Sequence, residues 1–314
     1  MTLSSRQLRL LMLSVGIGAA AYLVFALWSG WREVLAAMAH IGWQALVLAL
    51  LLSLVNYGLR AERWRLYIAS NDHSISRLDN LRIYLAGFAL TTTPGKAGEL
   101  IRGVFLKPYG VTFHHTAAMF FSERVADLIA VLIITAAGLA QLHQGEIYYV
   151  VLVLALLIGL MVLRTTWPER LLRHYGGERQ GVQWLANVAA SSRAFWRGRL
   201  LWQVQGLSVV AWLAEGLGAW LVLRTLMPDM AFEIALFIYG FSMLIGALSF
   251  MPGGLGGTEA TMTGLLVLQG LSLPEAVAAT VIIRLATLWF AVLLGLLAVL
   301  RLPNQASHAN ESHQ

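Results

Sequence analysis

Two sets of residues in this sequence have the types and the spacing that anion binding requires. In each set a Pro-Gly turn interrupts an apolar stretch, a glutamate follows the turn, and an arginine comes 25 residues after the glutamate. The first set is Pro94-Gly95, Glu99 and Arg124, and the second is Pro252-Gly253, Glu259 and Arg284. Because the arginine side chain binds phosphates and carboxylates through several donors, both sets are candidate anion sites.

The turns supply a second reason to expect an anion. A helix that begins at Gly98 or Gly256 has backbone N–H groups without helical partners, and such a helix start attracts negative charge. A phosphate-sized group is the ligand that this arrangement favours. The alternative stays open that the two glutamates occupy the helix starts and pair with the two arginines, so that they hold two halves of the chain together.

Neighbouring charges extend the candidate site. The partners expected for the buried arginines are Glu99, Glu123, Asp127, Glu215 and Glu259. Arg102 and Lys107 follow the first turn, where attraction of a lipid headgroup and plain anchoring at the cytoplasmic surface both explain them. The predicted substrate-binding residues are therefore Gly98, Glu99, Arg102, Glu123, Arg124, Asp127, Gly256, Glu259 and Arg284.

No catalytic set, cofactor or metal site is predicted. The glycines from Gly253 to Gly257 resemble a nucleotide loop, but no predicted strand precedes them and the lysine of such a loop is missing. His114 and His115 have no second cluster of metal ligands at a suitable spacing. The sequence therefore predicts that cofactors are not required.

The elements that carry these residues belong in a membrane. Of the 314 residues, 58% are hydrophobic and 12% are charged, and the mean hydropathy is +0.70. A soluble core of this size does not bury so much apolar surface. The formal charge of +6 comes from arginines in the loops beside apolar segments, so it does not indicate nucleic acid as a partner.

The apolar segments predict an all-α polytopic membrane protein. Six stretches reach the roughly 20 residues that one crossing of a bilayer takes. They lie at about 9–29, 41–59, 115–141, 146–164, 202–223 and 275–300. Two more stretches, 80–93 and 231–251, run into the Pro-Gly turns, which predicts two re-entrant hairpins of broken helix in addition to about six full transmembrane helices.

The two sets belong to an internal repeat. A shift of the sequence by 160 positions, without gaps, places the first glutamate and arginine on the second, and also Gly110 on Gly270. The repeated halves span about 80–141 and 231–300, and their hairpins enter the membrane from opposite sides. Inverted repeats with broken helices at the midplane are typical of transporters. Each arginine would lie about 15 Å deep, where insertion of a charge costs roughly 2.5–3.5 kcal/mol.

The distribution of arginines predicts the orientation. Arg6 and Arg9, the basic residues between 60 and 82, those between 164 and 199, and Arg301 all fall on one side. Both termini are therefore expected on the cytoplasmic side of a bacterial inner membrane. The chain is predicted to form one membrane domain, 1–303, with an amphipathic cytoplasmic connection at 165–200 and a disordered tail at 304–314.

At these motifs the sequence resembles the lysylphosphatidylglycerol synthase transmembrane-region family, a flippase-like domain. The likeness covers nearly the whole chain. It rests on Arg63-Trp64 with Tyr67, Pro94 through Arg102, Glu123-Arg124 with Asp127, Pro252 through Gly256 with Glu259, and Arg284. The resemblance implies movement of a phospholipid between leaflets.

These 314 residues contain no counterpart of the aminoacyltransferase domain of two-domain members, so no synthase activity is predicted. Thr91 to Thr93 replace an asparagine of many members, which leaves the choice of headgroup open.

The sequence thus predicts a lipid translocase with membrane phospholipid as its substrate and Arg124 and Arg284 as counter-ions. Without a nucleotide site, movement would be downhill or coupled to an ion gradient. Two other functions stay open, namely an integral-membrane lipid-linked transferase with Glu99 or Glu259 as general base, and a noncatalytic partner of a lipid-synthesis enzyme. A homo-oligomer, the identity of the lipid and the direction of movement also stay open.

Overall fold

The computed structural model describes residues 31–139, 145–176 and 179–302, and these fold into helices without any β-strand. The predicted first span at 9–29 and the predicted tail at 304–314 lie outside the described residues, as does most of the turn between 140 and 145. The described helices are α1 (Trp31–Ala69), α2 (Arg77–Phe88), α3 (Arg102–Leu106), α4 (Phe113–Leu139), α5 (Gly145–Arg164), α6 (Trp167–Gly176), α7 (Gln180–Ser192), α8 (Gly198–Leu226), α9 (Phe232–Leu248), α10 (Gly257–Leu268), α11 (Leu273–Arg284) and α12 (Phe290–Arg301).

Three helices in the described ranges are long and apolar enough to cross a membrane. They are α1, α8 and the continuous helix Leu273–Arg301, in which five residues of π-helix, Leu285–Trp289, join α11 to α12. Helices α4 and α5 occupy the other two predicted stretches that the structure describes. The all-α membrane architecture predicted from the apolar segments is therefore confirmed.

Helix α1 is longer than its predicted span and changes direction once. Gly42 has φ 77° and ψ 164°, a conformation outside the helical region that divides the helix into a short and a long part. The long part continues to Ala69, so Arg60 and Arg63 lie within the helix. Their side chains are 5% and 0% exposed, so their assignment to a charged cytoplasmic loop was wrong. The amino-acid composition at the end of an apolar segment does not show which arginines point into the bundle.

Each Pro-Gly turn follows a helix and is followed by further helical segments. After α2, the chain turns through residues 89–93 into a 3-10 helix, Pro94–Ile101, and then into α3. After α9, a short 3-10 segment, Pro252–Gly254, leads into the regular helix α10. The two 3-10 segments contact each other. The turns of the two repeated halves therefore meet inside the bundle, although their entry from opposite sides of a membrane stays a prediction.

The bundle packs the repeated halves across each other. Helix α1 packs along α8, α4 packs against α9, and α12 packs against α2. Consequently each broken helix of one half is held by a long helix of the other half. Gly295 of α12 shows how close this packing is, because a Cβ at this glycine would overlap the backbone of Ala89 at the end of α2.

The connection between α5 and α8 is helical and packs partly on the bundle. Helix α7 contacts α4, and the aromatic rings of Phe195 and Tyr67 lie 4.6 Å apart between centroids. Trp196 is 1% exposed, whereas Trp167 and Tyr175 of α6 are largely exposed. The connection is thus helical, with Trp196 in the core of the bundle and other aromatic side chains exposed, and its position on a membrane surface stays a prediction.

Candidate functional site

A buried network of arginines and carboxylates surrounds the first turn. Its members are Arg60, Arg63, Glu99, Arg102, Glu123, Arg124 and Asp127, and all but Arg124 are less than a tenth exposed. Helix α1 supplies two arginines three residues apart, and α4 supplies Glu123 and Asp127 four residues apart. Such spacings place side chains on one face of a helix, so α1 and α4 present opposite charges to each other.

Glu123 lies at the centre of this network and is fully buried. Its carboxylate accepts hydrogen bonds from Arg63 at 3.0 Å and from Arg102 at 2.8 Å, and also from the hydroxyl of Tyr84. Asp127 accepts from Arg63 at 2.7 Å and from Arg60 at 3.1 Å. A buried charge is stable only when it is paired and hydrogen-bonded, and here each carboxylate is shared by several arginines.

Arg102 is a member of the core and not a surface residue. Its guanidinium lies 2.8 Å from both Glu99 and Glu123 and 4.1 Å from the centroid of the Tyr84 ring. A Cβ at Gly87 would overlap the Arg102 side chain, so the glycine makes room for it. Of the two predicted surface roles for Arg102 and Lys107, neither fits Arg102, because its side chain is completely buried.

Arg124 connects the network to open space. Its Nη2 atom lies 3.3 Å from Glu123, 3.3 Å from Asp127 and 3.6 Å from Glu99. These are ion-pair distances with poor hydrogen-bond geometry, since Nε and Nη2 make no hydrogen bond in the described structure. The side chain is 22% exposed and reaches the wall of a cavity.

The second turn has the same glutamate and arginine in a simpler arrangement. Arg284 donates from Nε to Glu259 at 2.7 Å and from Nη2 to the carbonyl of Gly253 at 2.8 Å. The other oxygen of Glu259 accepts from the backbone N–H of Gly256 at 2.6 Å. One carboxylate therefore closes the start of α10 and binds the arginine of the continuous helix that follows.

The backbone donors at Gly98 and Gly256 already have partners. Gly98 N–H donates to the hydroxyl of Thr93 at 2.7 Å, and Gly256 N–H donates to Glu259. The expectation that these two N–H groups are unpaired was therefore wrong, because protein oxygens accept from both, and anion binding at the turns stays a prediction. The alternative describes Glu259, which accepts from both Gly256 N–H and Arg284, whereas Glu99 accepts from Arg102 and lies 3.6 Å from Arg124.

A cavity of about 600 Å³ lies where the two turns meet. Its charged wall is formed by Arg60, Lys96, Arg124, Asp127, Glu215 and Arg284. Another part of the wall is apolar and includes Phe241, Leu248, Phe250 and Met251. These apolar side chains are also exposed on the outer surface, by 68% for Leu248 and 73% for Phe250. The cavity thus joins a charged interior to an apolar surface of the bundle.

Glu215 adds a carboxylate to the cavity from α8. It is 5% exposed and accepts a hydrogen bond from the Tyr239 hydroxyl at 2.5 Å. Within the described ranges no arginine or lysine lies within ion-pair distance of it. Glu215 was expected to be a partner of the buried arginines, but Tyr239 is the group that it binds.

The predicted site residues divide into two groups by position. Arg124, Asp127 and Arg284 lie on the cavity wall, whereas Glu99, Arg102, Glu123 and Glu259 lie behind it in ion pairs. Whether any of them binds substrate stays a prediction. Sequence reasoning missed Arg60, Lys96 and Tyr84. Arg60 carried a detectable signal, because an arginine three residues before Arg63 on an apolar segment indicates a shared inward face.

Comparison with known proteins gives results that agree with this architecture. Residues 11–295 match a family model described as the lysylphosphatidylglycerol synthase TM region. A UPF0104 membrane protein of Pyrococcus horikoshii is 21% identical over 318 residues, which cover 91% of this chain and 95% of that protein. A UPF0104 membrane protein of Methanothermobacter thermautotrophicus is 23% identical over 297 residues, covering 87% of this chain and 88% of that protein.

Proposed function

The chain belongs to the lysylphosphatidylglycerol synthase TM region family of multi-pass membrane proteins, and from that premise we propose that it moves phospholipid headgroups between the leaflets of a bacterial inner membrane. The observation that carries the proposal is the cavity between the two turns. It has charged groups in its interior and an apolar wall that continues onto the outer surface. A phospholipid has the same division, with a charged headgroup and apolar tails.

The charged wall provides the environment that a headgroup needs when it leaves water. A charge in the centre of a bilayer is unfavourable unless protein groups or water replace its hydration shell. Arg60, Arg124 and Arg284 approach the cavity from three different helices, α1, α4 and α11. A phosphate in the cavity would therefore face donors from both repeated halves.

The apolar part of the wall provides a path for the tails. Leu248 ends α9, and Phe250 and Met251 follow it immediately before the second turn; all three are exposed where the bundle would face lipid. Tails that pass over this edge stay in the hydrocarbon layer while the headgroup is inside the protein. The protein then has to shield only the polar part of the lipid.

The repeat supplies a mechanism for access from both sides. Two related broken helices that enter a membrane from opposite sides can exchange conformations, which opens one site first to one leaflet and then to the other. In the proposed arrangement the two turns are re-entrant and both termini are cytoplasmic. The contacts between the turns form a barrier that separates the cavity from one leaflet at a time. The contact between the two 3-10 segments supports this assignment.

The experiment is a translocation assay with a variant that fills the cavity. Purified protein is reconstituted into liposomes that contain a fluorescent phospholipid, and a membrane-impermeant reductant quenches the dye in the outer leaflet. Protein-dependent loss of the protected inner-leaflet signal measures translocation. Ala247 lines the cavity and is exposed, so Ala247→Trp places a large ring in the path with little effect on the core.

The matched control is Ala69→Trp, because Ala69 is also an exposed helical alanine but does not line the cavity. We expect translocation by the wild type and the control and its loss in Ala247→Trp. Protection equal to that of protein-free liposomes in the wild type, for anionic and zwitterionic lipids alike, would contradict the proposed function and favour a lipid-linked transferase or a partner protein.

A further inference from the structure

We propose that Lys96, and not either of the repeated arginines, is the residue that binds the phosphate of the transported lipid, and that this phosphate is a phosphodiester with a single negative charge. This inference rests on the proposed function because it names the ligand chemistry of the same cavity. It changes the roles assigned from sequence, since Arg124 and Arg284 become residues that support the cavity wall.

The backbone at Lys96 is the first observation. Lys96 has φ 55° and ψ 22°, a left-handed conformation that residues with a Cβ rarely adopt. The matching position of the second turn, aligned through its Pro-Gly, is Gly254 with φ 71°. Glycine adopts this conformation freely, so a lysine is the less stable choice for the turn. Strained residues of this kind concentrate at functional sites, where the side chain has a role.

The pairing of the cavity cations is the second observation. Arg60, Arg124 and Arg284 each form an ion pair with a protein carboxylate. Lys96 lies on the same wall, yet in the part of the chain that the structure describes it forms no ion pair within 4.0 Å. An arginine that is already paired gains less from a phosphate than an unpaired lysine gains. Lys96 is therefore the cation best able to accept a new anion.

The balance of charge around the cavity is the third observation. Six cations and five carboxylates form the network, the second turn and the cavity wall. They are Arg60, Arg63, Lys96, Arg102, Arg124 and Arg284, with Glu99, Glu123, Asp127, Glu215 and Glu259. With all of them ionised, one positive charge remains. A phosphodiester neutralises it, whereas a phosphate monoester or a diphosphate leaves negative charge in excess inside a membrane.

The apolar wall indicates a lipid and not free phosphate as the source of this group. Leu248 and Phe250 extend the cavity to the outer surface of the bundle, where they give inorganic phosphate no partner but give acyl tails a contact surface. A phosphate group is the chemistry that both sources share, but only the lipid carries it as a phosphodiester. The distinction between a lipid and a soluble phosphate is therefore made by direct binding measurements.

The test uses Lys96→Gly, which gives the first turn the residue that the second turn has. The substitution removes the charge and also relieves the left-handed strain, so the variant should unfold at the same temperature as the wild type or at a higher one. Binding of short-chain phosphatidylglycerol, phosphatidylcholine and phosphatidic acid to the purified protein is measured by native mass spectrometry. Inorganic phosphate is added as a competitor in a separate series.

We expect the wild type to bind phosphatidylglycerol in preference to the other two lipids, and Lys96→Gly to bind it about tenfold or more weakly, as the loss of one charge-assisted hydrogen bond implies. Lys96→Arg should retain the preference. Lys107→Ala, which removes an exposed lysine after α3, should bind as the wild type does.

Equal phosphatidylglycerol binding by Lys96→Gly and the wild type would overturn the inference, and so would displacement of the lipid by inorganic phosphate at an equal concentration. The translocation assay separates this inference from the proposed function. Lys96-dependent binding without translocation contradicts only the transport, whereas translocation that Lys96→Gly leaves at the wild-type rate contradicts only the role of Lys96.

Discussion

The two turns of the repeat begin with the same Pro-Gly and keep the same glutamate and arginine, but they are stabilised in different ways. Around the first turn, four arginines share three carboxylates in a buried network. At the second turn, Glu259 and Arg284 form an ion pair that also binds the backbone at Gly253 and Gly256. The same sequence motif is therefore stabilised by different interactions in the two halves.

The sequence shows where the difference arises. The shift of 160 positions that relates the halves places Arg102, Glu123 and Asp127 on Met262, Ile283 and Thr287. The first half thus has three charges where the second has apolar or neutral side chains. Its turn continues into a 3-10 helix of eight residues, Pro94–Ile101, whereas the second turn leads into the regular helix α10. In the first half, ion pairs surround the segment that follows the turn, whereas in the second half that segment is a regular α-helix.

The largest expected effect comes from the centre of the network. Glu123→Gln removes a charge that Arg63 and Arg102 share, and it leaves both buried arginines with less compensation. Removal of one partner from a buried ion pair costs about 3–5 kcal/mol, so the free energy of unfolding should fall by an amount in this range. Thermal or denaturant unfolding of the purified protein measures the change. Glu62→Gln, which breaks a partly exposed pair with Arg65, should cost less than about 1 kcal/mol.

A smaller effect is expected at the second turn. Glu259→Gln weakens one ion pair but keeps an oxygen for Gly256 N–H, and Arg284 keeps its bond to Gly253, so the loss should be about 1.5–3 kcal/mol. Combining it with Arg284→Met should restore part of this loss, because replacement of a whole buried pair is often neutral.

A corresponding double variant at the first turn distinguishes one ion pair from a network of ion pairs. Glu123→Gln combined with Arg102→Met should not recover stability, because Arg63 still lacks the charge of Glu123 and Glu99 now lacks Arg102. Equal recovery for the two double variants would show that the first turn also depends on one dominant pair and is not stabilised by a shared network.

The smallest effect concerns the backbone of the two turns. Gly254→Ala adds a Cβ at φ 71° and only 3.0 Å from the hydroxyl of Thr258, so it should lower the free energy of unfolding by about 1–2 kcal/mol. Lys96→Ala at the matching position should be close to neutral, because a Cβ is already present there. Gly206→Ala is the control, since a Cβ at this helical glycine meets no atom within 4 Å. A stability loss of the same size in Lys96→Ala would argue against the strained turn.

The sequence predicted the all-helical architecture and the two Pro-Gly breaks, but it predicted the contacts of the site only in part. Apolar segment lengths and the Pro-Gly turns are local signals, so helix positions and the breaks followed from them. The pairing of Glu259 with Arg284 also followed from the constant spacing in the repeat, whereas the arginine nearest to Glu99 is Arg102.

Burial was harder to predict because it depends on which face of a helix packs inward. Arg60, Arg63 and Arg102 appear in the sequence as basic residues at segment ends, yet the structure buries all three. The hydroxyl of Thr93 and the carboxylate of Glu259 fill the backbone donors at the turns, and only three-dimensional geometry shows this. The left-handed backbone conformation of Lys96 likewise cannot be predicted from the fact that the residue is a lysine.

A structure determined in a lipid bilayer that contains phosphatidylglycerol tests the central claim most directly. We expect a lipid with its phosphate in the cavity between the two turns, within hydrogen-bond distance of Lys96 Nζ, and with its tails passing Leu248 and Phe250. A cavity that holds only water, or one closed by protein side chains while lipids occupy other surfaces, would contradict it.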